Sequence, residues 1–175
     1  MNRLEKNSEI ILDLLKIQQD RAATYEKLLY HGNFDEKINM LLKRLAVQSR
    51  NNMLELRAHL NDNTGSDPAD NVEIRGDILR EWHGLSHFLP DSTYPEIMQC
   101  FEVNEMRTSI AYRQAMEKGE VFSEELNNLL AKQLRIIQRS FVFIQESREK
   151  PFIPETSVTR DERMPPVFLQ ERIHA

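Results

Sequence analysis

Apolar residues recur at steps of three and four in four long segments of this chain, each bounded by turn-forming residues, which is the pattern of helices that bury one face. In the first segment Ile11, Leu15, Gln18, Ala22, Tyr25 and Leu29 share a face. Asn2 and Glu5 can form a capping box ahead of it, and Gly32 can close it in the left-handed conformation, so a helix is predicted over 6–31. The second stripe is Ile38, Leu41, Leu45, Gln48, Asn52 and Leu56, with Asn33 or Asp35 as cap and a helix over 34–60. So short a connection makes helices one and two an antiparallel hairpin. The third stripe is Met98, Phe101, Glu105, Thr108, Tyr112 and Ala115, with Pro95 in the first turn and Gly119 at the end of a helix over 93–118. The fourth is Leu126, Leu130, Gln133, Ile137, Phe141 and Ile144 over 123–148, where Ser123 caps and Glu124 and Glu125 suit the helix dipole.

Between helices two and three, Asn61 to Asn71 (NDNTGSDPADN) is dense in turn-forming residues and is expected to stop the helix. A short helix is predicted over 78–88, with Ile78, Trp82, Leu85 and Phe88 facing inward, ended by Pro90 and Asp91. The expected fold is all-α, an antiparallel four-helix bundle whose long crossover between helices two and three contains a short helix, with helix one paired to two and three to four. After Pro151 the composition changes, and four of the seven prolines fall in the last stretch of chain. Residues 1–150 are therefore read as one bundle domain and 151–175 as a Pro-rich extended tail. Phe152, Ile153, Val167, Phe168 and Leu169 give that tail apolar side chains with which to dock on the bundle or on a neighbouring subunit.

Composition narrows the function classes. The chain has 175 residues, 40% of them hydrophobic and 29% charged, near ordinary globular values. A net charge of -5 gives no bulk attraction for nucleic acid or an anionic membrane, and no apolar run is long enough to cross a bilayer. The N-terminal residues lack the apolar core of a signal peptide, so the expected compartment is the cytoplasm. Cys100 is the sole cysteine and is read as a packing residue, since nothing near it in sequence supplies a base.

What stands out is polarity on the inward stripes. Gln18, Tyr25, Gln48, Asn52, Glu105, Thr108, Tyr112 and Gln133 all interrupt apolar faces, and burying them unpaired would cost roughly 1 to 3 kcal/mol each, so they are expected to satisfy one another in a buried polar layer. Glu105 is the one carboxylate among them. It can be held as an ionised acceptor or as a neutral acid, with no metal needed in either case, and Glu105→Gln, which preserves shape and hydrogen-bonding capacity, is expected to keep or raise stability by removing the desolvation cost of a buried charge. His83 and His87 lie four apart in the crossover but lack further ligands, and Glu171-x-x-His174 falls in the tail; neither is read as a metal site.

Gln18 with Tyr25, and Glu105 with Tyr112-Arg113, resemble the Glu, six residues, Tyr pattern on the first and third helices of ferritin-like proteins. Together with Arg80-Glu81-Trp82-His83-Gly84-Leu85 and Gln133-Leu134, the chain from about Asn7 to Glu149 is similar to bacterial ferritin-like four-helix-bundle proteins of a domain-of-unknown-function family. The resemblance implies a ferritin-like bundle and a link to stress. It does not carry the ferritin ligands over. A di-metal site in such a bundle takes a Glu from each of two helices and a Glu-x-x-His from each of the other two. Here Gln18 stands in place of one Glu, and Leu45-x-x-Gln48, Gln48-x-x-Asn51 and Gln138-x-x-Phe141 stand where Glu-x-x-His is wanted.

The expected function is therefore a non-catalytic bundle acting as a homo-oligomer or with a protein partner, with no catalytic residue, no cofactor and no metal. The alternative is a di-metal carboxylate oxidase or metal-storage protein in which Glu105, with a non-standard ligand set, holds iron or another divalent metal.

Overall fold

The computed structural model describes residues 3–32, 34–64, 76–82, 92–119 and 122–149, with side chains from Lys6 and as far as Leu60 in the second helix and Arg148 in the last. Five helices carry the fold: α1 (Arg3–His31), α2 (Glu36–Thr64), α3 (Asp77–Glu81), α4 (Tyr94–Lys118) and α5 (Glu124–Glu149). No strand occurs among the described residues, and none of their helices is long and apolar enough to cross a membrane. The chain is all-α.

Side-chain pairs give the relative sense of the four long helices. Going up α1, Gln18 meets Tyr112 and then Tyr25 meets Glu105, so α1 and α4 run antiparallel. Gln48 with Ser140 and Glu55 with Lys132 make α2 antiparallel to α5, while Tyr112 with Gln133 and Glu102 with Arg148 do the same for α4 and α5. The closest packing is within the pairs α1 with α2 and α4 with α5; α2 and α5 meet more sparsely.

The predicted stripes face inward with few exceptions. Every stripe residue of α2 and α4 is buried, as are Ile11, Leu15, Gln18, Ala22 and Tyr25 of α1. On α5 Leu126, Leu130, Gln133, Ile137 and Ile144 are buried, while between the last two Ser140 takes the buried position and Phe141 is half-buried. Two apolar clusters result. One gathers Leu14, Ile17, Leu56, Ile78, Leu130 and Ile137; the other gathers Tyr25, Leu42, Leu45, Met98, Phe101 and Ile144. The polar residues lie between them.

Boundaries differ from the sequence reading in ways that have physical reasons. α2 continues to Thr64 rather than ending near Leu60, since Asn and Asp are tolerated in a last turn and the first helix breaker in the stretch is Gly65. The crossover helix ends at Glu81, not Phe88, because Trp82 is extended (φ -84°, ψ 111°) and its indole nitrogen donates to the Thr108 hydroxyl at 3.3 Å. Leu85, Phe88 and the two crossover histidines lie outside the described residues, as do Asn2, Asn33 and residues 150–175. Asp35 caps α2 by accepting from the Ile38 amide at 2.8 Å, and Ser123 caps α5 by accepting from Leu126 at 3.2 Å. The cap of α4, which the sequence reading did not single out, is Thr93, whose amide donates to the Glu96 carboxylate at 2.7 Å.

The two closing glycines also work differently. Gly119 has φ -69° and ψ 99°, and Gly32 likewise avoids positive φ. What they supply is room: a Cβ at Gly119 would collide with the Phe122 ring, and one at Gly32 with the Phe34 ring and with the Leu28 carbonyl oxygen at 2.5 Å. Each aromatic folds back over the helix end it follows.

The crossover is tied to α1 by Asp13. Its buried carboxylate accepts from the amides of Gly76 at 2.9 Å and Leu79 at 3.1 Å, capping α3 from another helix. Burial pushes the Asp13 carboxyl above its ordinary range while these amides pull it back. Asp13→Ala is expected to cost about 1 to 3 kcal/mol in urea denaturation. Amide exchange at Gly76 and Leu79 should accelerate more than in the rest of the chain.

Candidate functional site

The centre of the molecule is built on Arg21, a residue whose type normally belongs at the surface. It sits on the face of α1 between Gln18 and Tyr25 and is fully buried. Its Nη2 donates to Glu105 Oε1 at 2.5 Å in an ion pair with no exposure on either side chain, and its Nη1 donates to Gln18 Oε1 at 2.7 Å. The guanidinium also lies 5.8 Å from the centre of the Tyr25 ring. Burial works against the charge on Arg21, and the carboxylate beside it more than restores it, holding its pKa above the ordinary arginine value.

From Arg21 the hydrogen bonds have a forced direction. Gln18 spends its oxygen on the guanidinium, so its Nε2 donates to the Tyr112 hydroxyl at 2.8 Å. Tyr112 then donates to Gln133 Oε1 at 2.7 Å. Gln133 has only its amide hydrogens left, and these go to the Asn52 carbonyl at 3.2 Å and to Glu55 Oε2 at 2.9 Å. Glu55 reaches the surface, where Lys132 meets its other oxygen at 2.6 Å and helps hold its pKa below the ordinary range against a contrary push from burial. On the other side Tyr25 donates to Glu105 Oε1 at 2.7 Å and accepts from Asn104, and the Thr108 hydroxyl donates to the Asn104 carbonyl at 2.8 Å. Burial raises the pKa of both tyrosines, reinforced at Tyr25 by the neighbouring carboxylate, so both act as neutral phenols.

All eight residues singled out in the sequence are buried. Gln18, Tyr25, Glu105, Thr108, Tyr112 and Gln133 join one network, with Asn52 contributing its backbone carbonyl. Gln48 stands apart, accepting from Ser140 at 3.0 Å. The network also recruits Arg21, Asn104 and Glu55, which the stripes did not include, and Trp82, the inward residue of the crossover. The available signal for Arg21 was chemical, since an inward Glu105 with only amides and hydroxyls around it lacked a counter-ion.

The ion pair changes what Glu105 can do. Among the residues with described side chains no three His, Cys, Asp or Glu side chains converge on a common point, and Glu105, the carboxylate of the central polar layer, already faces a cation that would repel a metal ion. It also overturns the expectation that Glu105→Gln is harmless. A neutral amide at this position would leave the Arg21 charge buried and unbalanced, so the substitution is expected to lower stability by about 3 to 5 kcal/mol. Replacing both partners, Arg21→Met with Glu105→Leu, should recover most of that loss. Urea denaturation of the single and double variants measures the coupling directly. No family model, no curated protein and no solved structure matches this chain.

Proposed function

We propose that the four long helices form a ferritin-like antiparallel bundle and that the protein is a non-catalytic cytoplasmic scaffold, acting as a homo-oligomer or with a protein partner, in a process linked to stress. The observation that carries this reading is the Arg21–Glu105 pair, which neutralises the interior carboxylate that a bundle metal site would need. The helix senses support the topology: α2 and α4 run the same way, as a long crossover between them requires.

With the interior committed to structure, function falls to the surface. On α2, Met40, Val47 and Leu54 stand seven residues apart and are 63%, 57% and 57% exposed, an outward stripe at coiled-coil spacing. Pairing this stripe with a second copy, or with a partner helix, would cover it. Val47→Glu, in the middle of the stripe, is expected to shift the mass measured by light scattering down toward the 20.6 kDa monomer while leaving the helical circular-dichroism spectrum unchanged. If the parent is already monomeric at high concentration, the homo-oligomer is wrong and the partner remains. The metal-bound alternative is tested separately by melts of the untagged protein with added iron or zinc. No rise is expected, and a metal-induced rise would overturn the non-metal reading.

A further inference from the structure

Where α2 and α5 meet least closely, an open groove of about 520 Å³ runs between the start of α2 and the end of α5, with α4 beneath. Ile38, Leu41, Met98 and Phe143 make it mainly apolar, and Lys37 and Arg44 stand on its α2 side against a single carboxylate, Glu146. Phe143 is 47% exposed and held against the Arg44 guanidinium at 5.7 Å from the ring centre, so an aromatic surface is presented to whatever enters.

We propose that the occupant is the chain's own segment Pro151-Phe152-Ile153-Pro154-Glu155, docked within the same molecule. Three observations converge on it. The groove includes Glu146 and Ser147, on the last turn of α5, so the chain leaves its helix at the groove's rim. Phe152 and Ile153 follow Glu149 by three and four residues, a reach of about 10 to 13 Å in extended chain, enough to turn back across the seam toward α2. The segment's chemistry also matches: two large apolar side chains for the apolar floor, two prolines that disfavour continuing α5, and one carboxylate, Glu155, for the cationic side. Met40 belongs both to the groove's lining and to the outward stripe, so the two readings share one residue, but this assignment is tested at Phe143 and Arg44, which lie off that stripe.

The test uses the full chain with Phe152 replaced by the photo-crosslinking residue p-benzoylphenylalanine, irradiated as a mixture of isotope-labelled and unlabelled chains and mapped by mass spectrometry. Adducts on residues 37–44 or 94–98 within one chain are expected. Phe143→Ser should lower the docking equilibrium roughly tenfold and deplete those adducts, whereas Val47→Ser, outside the groove, should not. A helical circular-dichroism spectrum of Phe143→Ser that matches the parent's at the irradiation temperature establishes that the fold is intact; if it does not match, Arg44→Ala serves in its place. Adducts between chains, adducts confined to other helices, or adducts indifferent to Phe143→Ser and Arg44→Ala would each overturn the proposal.

Discussion

A guanidinium with no access to water must be surrounded by acceptors, and this requirement at Arg21 shapes most of what lies around it. Its two terminal nitrogens take a carboxylate from α4 and an amide oxygen from its own helix, and each acceptor is thereby oriented for its next partner. A buried ion pair is seldom a net source of stability, because the desolvation of both ions offsets their attraction. Its value here is positional. Sliding α1 against α4 by one turn would separate Arg21 from Glu105 and leave both charges buried and unpaired, a cost of several kcal/mol.

The same constraint divides the interior. Apolar side chains pack in two clusters, one toward the crossover and one toward the hairpin turn, and the network passes between them. Tyr112 belongs to the first cluster and Tyr25 to the second, each contributing its ring to packing and its hydroxyl to the polar centre. The pairing is incomplete at its edges: Arg21 Nε, Glu105 Oε2, Asn104 Oδ1, Asn52 Nδ2 and Gln48 Nε2 are buried without a hydrogen-bond partner. Outside this interior, large apolar side chains stand exposed on α2, α4 and α5.

The helices, their inward stripes and the eight polar interruptions were legible because period and burial are coupled: a residue at steps of three and four from buried neighbours faces the same way. Arg21 was not legible on that basis. The stripe argument assumes a narrow inward face, whereas α1 packs against α2, α3 and α4 and buries a wider arc that takes in Asp13, Ile17 and Arg21. Charged residues in that arc read as solvent-facing until their partners are known. The glycines illustrate a different limit. Gly32 and Gly119 mark helix ends correctly, but sequence cannot tell a glycine needed for its backbone angle from one needed for the space beside it, and here the following phenylalanine decides. The crossover was legible as a connection and not as a helix length, because the extended backbone at Trp82 accompanies a distant contact with Thr108.

The cap supplied by Asp13 has a consequence for how the chain assembles. A five-residue helix is well below the length at which helices persist in water, so α3 has no independent existence. The acceptor that completes its first turn lies more than sixty residues earlier in the chain, on a helix that must already be in place. α3 is therefore expected to form late, as a latch that closes once α1 is in position. The connection between α2 and α3 is then closed only at the end of the process, and the crossover becomes a reporter of completed assembly rather than a participant in its nucleus.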